Sequence, residues 1–196
     1  RASRPFASDI DRIDLALARS VASAHGALCT FLVGTRLGPV ALPYEVGAAA
    51  LEAVDRRWRG ESPGVALAIR RALAAAAGRR VRLGGDWVYV NASHDGLPTR
   101  AGALDRLDPT GEMGRWIYLH DLIPLEYPEY QTVASVARFE RFLREVFSGE
   151  AEVAVNSRDT AGRLRRRAHA EGWRLGELAV LAPRIALEHG AAPGPP

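Results

Sequence analysis

Residues 116–160 read WIYLHDLIPLEYPEYQTVASVARFERFLREVFSGEAEVAVNSRDT. A strand pattern, Trp116–Leu119, is followed by an amphipathic helix pattern, Val133–Phe147, and then by a second strand pattern, Glu152–Val155. Short apolar runs are typical of buried strands, and a helix between two of them is the usual connection in a parallel sheet. This stretch therefore favours parallel strands covered by helices.

The same alternation continues on both sides of this stretch. Further strand patterns are Ala27–Val33, Val40–Leu42, Trp87–Val90 and Leu178–Leu181, and further helix patterns are Ser8–Gly26, Tyr44–Trp58, Gly64–Ala77, Arg100–Leu107 and Arg158–Glu171. Because hairpin signals are lacking, the order predicts an α/β, Rossmann-like fold with a mostly parallel sheet and helices on both faces. Residues 1–182 are predicted to form this domain, and the Pro/Gly/Ala-rich residues 183–196 a linker or tail.

The composition excludes several classes of chemistry. The chain has 196 residues, a net charge of +3 and 26 basic residues, all of which are Arg. Reactions that need a lysine amine, such as Schiff-base catalysis, are therefore excluded. Cys29 is the single cysteine and the five histidines are widely spaced, so we expect no disulfide framework and no metal site. The sequence has no apolar run long enough to span a membrane. We therefore expect a soluble, cytoplasmic protein, with peripheral contact with a membrane as a further expectation.

Polar residues follow three of the strand patterns. The clusters are Asn91-Ala-Ser-His94-Asp95, His120-Asp121 and Asn156-Ser157. Ligands of open parallel sheets bind outside the carboxyl ends of the strands, so these clusters are the candidate site. Each also has a structural interpretation: Asn156 or Ser157 as a helix cap, Asn91–Gly96 as a turn, and His120 as a satisfied core histidine.

The three strand ends together resemble the N-terminal domain of family-4 type glycosyltransferases. The resemblance is carried by Trp116–Tyr130, Val88–Pro98 and Val153–Thr160, and Ser8–Leu17 looks like the family's opening Thr-Gly-Ile-x-Arg-Val helix start. It implies one half of a GT-B architecture, in which two Rossmann-like domains face a cleft. A C-terminal domain with a Glu-x7-Glu pair, which would hold most of the nucleotide-sugar donor, is expected in cis, because no such pair occurs in this chain.

The resemblance also implies roles for individual residues. His120 would lie beside the donor sugar, and Asp121 would orient its loop. The donor-phosphate edge would be formed by Asp9, Ile10 and Arg12, and the cleft or acceptor side by Asn91, His94, Asp95 and Ser157. Asp9 replaces the family's usual glycine, which adds a negative charge where the phosphate is expected.

The function implied is transfer of a sugar from a nucleotide-sugar to an acceptor glycan or lipid-linked glycan. Retention of configuration and independence from metal follow from the resemblance alone, and no cofactor is expected besides the nucleotide-sugar substrate. The alternative is a non-catalytic module that binds a glycan or a protein. A third hypothesis, nucleic-acid binding through the arginines of 163–167, lacks interleaved aromatic residues, so no specific nucleic-acid partner is expected.

Overall fold

The computed structural model describes residues 7–35, 38–61 and 81–182. The helices are α1 (Asp9–His25), α2 (Tyr44–Trp58), α3 (Ala103–Leu107), α4 (Ile123–Glu126), α5 (Val133–Val146) and α6 (Arg158–Glu171). The strands are β1 (Phe31–Thr35), β2 (Gly38–Leu42), β3 (Val88–Asn91), β4 (Gly114–Leu119), β5 (Ala151–Val155) and β6 (Leu175–Val180).

Four strands form the main sheet in the order β3-β4-β5-β6, and every neighbouring pair is parallel. Helices α3, α5 and α6 lie between successive strands in the chain, as crossover connections require. The α/β, Rossmann-like prediction is therefore confirmed, with helices flanking an all-parallel sheet.

The sequence patterns contain no hairpin signal, yet β1 and β2 form a separate antiparallel pair beside the parallel sheet. Thr35 pairs with Gly38, and Gly38 has a φ of 117°, a conformation that residues with a Cβ rarely adopt. The strand expected from Ala27 begins only at Phe31, since residues Gly26–Leu28 form a turn of 3-10 helix. Among the described residues, β1 and β2 therefore pair with each other and not with a strand of the main sheet.

The core lies on one face of the main sheet. Ile117 and Leu119 of β4 and Val153 and Val155 of β5 alternate with residues directed to the other face. They pack with apolar side chains of α5 and α6, namely Phe139, Phe142, Leu143, Val146, Ala161 and Leu164. Tyr118 is completely buried on the opposite face of the sheet. His120, two residues later, is directed to that same face.

Most other element boundaries follow the sequence patterns. The ranges Tyr44–Trp58 and Arg158–Glu171 are as predicted, while β6 begins at Leu175 rather than Leu178. The predicted helix at Gly64–Ala77 and the tail at 183–196 lie outside the described residues. Among the helices in the described ranges, none is both long enough and apolar enough to cross a membrane.

Candidate functional site

The carboxyl ends of β3, β4 and β5 lie side by side. Asn91 is in register with Ile117, and Leu119 with Val155. The polar clusters that follow these strands therefore meet at one edge of the sheet, as expected for parallel strands. His120 follows the strand between the other two and lies at the centre of this edge.

His120 is held by a carboxylate from the start of the chain. Its Nε2 atom lies 2.7 Å from Oδ1 of Asp14 in α1, and the two residues are 106 positions apart in the sequence. His120 is 3% exposed and the Asp14 side chain 13%, so water competes little for this contact. A carboxylate accepts hydrogen bonds, so Nε2 carries the proton and Nδ1 is the other polar atom of the ring.

Tyr118 completes the surroundings of this pair. Its ring packs against the His120 ring at 4.9 Å in an edge-on arrangement. Burial, together with the negative charge of Asp14, raises the pKa of Tyr118 to about 12. The phenol therefore stays neutral near pH 7 and donates a 3.1 Å hydrogen bond to the Leu181 carbonyl. Tyr118 thus packs beside the pair without adding a second charge to it.

His94 contacts His120 in a different way. Its Nε2 accepts a 2.8 Å hydrogen bond from the backbone N–H of His120, the first residue after β4. An accepting Nε2 must be unprotonated, so neutral His94 carries its proton on Nδ1. The His94 ring also packs 5.0 Å from the ring of Phe139 in α5. His94 therefore joins the loop after β3 to the end of β4 and to a helix.

Asn91 and Asp95 shape the loop that carries His94. The Asn91 side chain accepts from the Ser93 N–H at 2.9 Å and donates to the Asp95 carbonyl at 2.9 Å. The Asp95 carboxylate lies 3.7 Å from Nε of Arg138 on α5. These contacts match the interpretation of Asn91–Gly96 as a turn closed by its own side chains.

Asp121 and Ser157 both hydrogen-bond to the backbone close to them. Asp121 Oδ1 accepts from the Ile123 N–H at 3.0 Å, which holds the loop after His120. The Ser157 hydroxyl accepts from the Thr160 N–H at 3.1 Å and caps α6. The structure thus supports a loop-orienting role for Asp121 and the helix-cap interpretation of Ser157.

The N-terminus of α1 already has its own carboxylates. Ser8 and Asp11 form a capping box in which Asp11 accepts from the Ser8 N–H at 3.0 Å, and Asp11 is 1% exposed. Asp9 and Arg12 are exposed and Ile10 is half-buried on the same turns. Since carboxylates in a first turn offset the positive end of the helix dipole, a ligand phosphate gains little there. The donor-phosphate role of Asp9, Ile10 and Arg12 stays a prediction.

The arrangement brings together His94, His120 and Asp121 from the predicted set, and it adds Asp14. Sequence reasoning missed Asp14 because it lies within the amphipathic pattern of α1, where an acidic residue is ordinary. The sequence feature that could have indicated Asp14 is an acidic residue on the half-buried face of that helix. In the described ranges, no group of three or more His, Cys, Asp or Glu side chains could hold a metal ion.

The fold and the sheet edge together define a Rossmann-like α/β protein with a buried carboxylate–imidazole pair at the carboxyl ends of its strands. The chain matches no protein-family model, no curated protein and no solved structure.

Proposed function

We propose that the chain is the N-terminal, acceptor-side domain of a two-domain glycosyltransferase that uses a nucleotide-sugar donor. The observation that supports this most is the Asp14–His120 pair at the centre of the strand-end edge. Ligands of open parallel sheets bind at such edges, so this buried pair lies where a ligand of the sheet is expected.

The chemistry of the pair suits glycosyl transfer. As the bond to the nucleotide breaks, positive charge develops on the anomeric carbon of the sugar. The Asp14 carboxylate behind the His120 ring lies close to that carbon in this proposal, in a setting with little water, and offsets the positive charge. The Nδ1 atom of His120 accepts a hydrogen bond from a sugar hydroxyl in this proposal. Asp14 acts as a positioning residue, because it works through His120.

The surrounding contacts support the same role. His94 holds the His120 backbone, and the Asp121 carboxylate holds the Ile123 N–H in the loop that follows. Both hydrogen bonds restrict where the imidazole can move. A group that must be placed within a fraction of an ångström of a reacting carbon gains from such support.

The test is sugar transfer by the complete gene product that contains this chain, assayed with a panel of nucleotide-sugars and glycan acceptors. We expect His120→Ala to lower kcat by at least about tenfold, because stabilisation of the developing charge is lost. The matched control is His169→Ala, which removes an exposed histidine from α6 and should leave kcat unchanged.

Circular dichroism and the melting temperature of each variant check that it is folded. Equal kcat for folded His120→Ala and the parent protein would remove His120 from the reaction. Absence of transfer with every donor would argue against the transferase itself.

A non-catalytic glycan-binding or protein-binding module is the second candidate. The observation that favours it is the pair of carboxylates, Asp9 and Asp11, in the first turn of α1, because they oppose a donor phosphate at that end. Saturable glycan binding without turnover, retained by His120→Ala, would favour this candidate over the transferase.

A further inference from the structure

A small pocket lies between the β1–β2 hairpin and the segment that follows β3. Its volume is about 180 Å³, below the roughly 300–1,000 Å³ typical of pockets for drug-sized ligands. Gly34, Thr35 and Gly38 line it from the hairpin, and Arg100 and Arg106 line it from the opposite side. The pocket therefore suits a single small group, and its polar side is formed by guanidinium ions.

Both arginines are held by backbone carbonyl groups. Arg100 donates from Nη1 to the Thr35 carbonyl, and Arg106 donates from Nη2 to the Ala101 carbonyl at 2.9 Å. A carbonyl oxygen orients a guanidinium but does not neutralise its charge. Toward the residues that the structure describes, each arginine uses one of its five N–H donors in this way, so further donors face a ligand in the pocket.

Within the described ranges, neither Arg100 nor Arg106 forms an ion pair with a carboxylate. Glu145, whose carboxylate reaches this segment, accepts instead from the backbone N–H of Gly102. Some arginines elsewhere in the described ranges do form ion pairs, for example Arg19 with Glu52 and Arg163 with Glu126. As far as the described residues show, the pocket thus carries the charges of Arg100 and Arg106 without a paired carboxylate.

The hairpin leaves room for this arrangement because of a glycine. A Cβ at Gly34 would lie 3.2 Å from Cδ2 of Leu97 and 3.5 Å from Nε of Arg100. Contacts near 3.2 Å are tighter than ordinary packing, so a side chain here would press on the wall of the pocket. Gly34 therefore lets the Arg100 guanidinium lie close to the strand.

We propose that this arginine pocket, formed by Arg100 and Arg106 against Gly34, Thr35 and Gly38, binds a small oxyanion, either a phosphate group or a carboxylate. Guanidinium ions recognise both groups through paired N–H donors. The proposal does not depend on the glycosyltransferase proposal, since it rests on a different part of the surface and on the charge and geometry of this pocket.

The test is an NMR titration of the 196-residue chain at low salt with inorganic phosphate, methyl glucuronide and the neutral methyl glucoside. We expect saturable shifts of the Gly34 and Gly38 amides and of the Arg100 and Arg106 Nε–H signals with at least one anion. Methyl glucoside should cause none. Shifts with phosphate only would show that the pocket binds a phosphate group. Shifts with methyl glucuronide as well would show that it also binds a carboxylate.

Variants assign the binding to the two arginines. Arg100→Gln with Arg106→Gln should weaken the affinity at least tenfold, whereas Arg165→Gln, an exposed arginine on α6, should leave it unchanged. Added NaCl should weaken binding in the parent chain, because the attraction is between exposed charges. The proposal fails if neither anion gives saturable shifts, or if the double variant binds as tightly as the parent.

Discussion

His94 and His120 lie 26 residues apart in the chain and touch at the sheet edge, yet their surroundings give them different properties. His120 donates from Nε2 to a carboxylate, while His94 accepts at Nε2 from a backbone N–H. The Nε2 atom of His120 therefore carries a proton, whereas the Nε2 atom of His94 does not. At the scale of single residues, hydrogen-bond partners rather than residue type decide what each histidine does.

The tautomer of His120 is a direct test of the Asp14 contact. In the parent chain we expect ¹⁵N NMR to show neutral His120 protonated on Nε2. Asp14→Ala removes the acceptor and should shift the ring towards a mixture of tautomers, whereas Asp14→Asn keeps a side-chain oxygen and should restore part of the preference. An unchanged tautomer in Asp14→Ala would show that the carboxylate does not hold the ring.

The hydrogen bonds of Asp108 lead us to predict that this residue makes a pH-dependent contribution to the free energy of unfolding. Burial by itself raises the pKa of this carboxyl, but hydrogen bonds from the Met113 and Gly111 N–H groups and the Thr110 hydroxyl outweigh it, so the pKa is lowered. Because the pKa of Asp108 is lower in the folded state, its carboxylate stabilises that state at pH values above the unfolded-state pKa of about 4. This stabilisation is lost as the pH falls through the folded-state pKa.

We expect Asp108→Asn to lower the free energy of unfolding by about 1–3 kcal/mol at pH 7, because buried donors lose a charged acceptor. The measurement is urea denaturation at pH 7 and pH 3, and the difference from the parent should shrink at pH 3. Asp105→Asn, at a nearby exposed acid, serves as the control and should have little effect at either pH. A pH-independent difference would contradict the assignment.

At the scale of elements, α5 is stabilised at both ends by side chains. The Thr132 hydroxyl accepts from the Ser135 N–H at 3.1 Å at its start. At its end, Arg115 of β4 donates to the carbonyls of Glu145 and Val146 at 3.1 and 3.0 Å. The last carbonyls of a helix lack partners within the helix, so a strand arginine that reaches them ties α5 to the sheet.

Arg115→Met should lower the free energy of unfolding by about 1–3 kcal/mol, because it keeps much of the apolar stem but removes the donor to the Val146 carbonyl. The Glu145 carbonyl keeps one donor, the Ser148 hydroxyl at 3.0 Å. The matched control is Arg144→Met, an exposed arginine in the last turn of α5. Urea denaturation measures both variants. Equal stability of Arg115→Met and Arg144→Met would mean that the buried guanidinium contributes nothing at the end of α5.

At the scale of the whole molecule, the parallel sheet and the core on one of its faces place the site. Phe142 of α5 is completely buried in that core, and its ring lies 6.1 Å from the ring of His94. Helix α1 is joined to α2 by Arg19, which pairs with Glu52 and Asp55, and to the sheet edge by Asp14. The side chains of the core are therefore in direct contact with the residues of the site, through Phe142 and His94.

Phe142→Ala should lower the free energy of unfolding by about 3–5 kcal/mol, because it leaves a cavity between α5 and the sheet. The matched control is Val133→Ala in the first turn of the same helix, whose side chain is 87% exposed. Thermal or urea unfolding followed by circular dichroism measures both. A loss below about 1 kcal/mol for Phe142→Ala would contradict the central place of this residue in the core.

Much of this structure could be predicted from local patterns. The periodicity of apolar residues predicted the parallel strands and helices α1, α2, α5 and α6, because burial of one face dictates that spacing. The antiparallel pairing of β1 with β2 was not predicted, because the spacing of apolar residues indicates a strand but not the strand with which it pairs. The strand-end position of His120 was predictable, whereas its partner was not.

The sequence by itself thus determined the order of strands and helices, the polar residues at the strand ends and the absence of lysine chemistry, since these depend on residues close together in the chain or on composition. Only the tertiary structure decided that Asp14 meets His120, that His94 accepts from the His120 backbone, and that Arg100 and Arg106 line one pocket with the hairpin. The physical reason is that these contacts join segments distant in sequence, and their geometry is set by how α1, the hairpin and the sheet pack together.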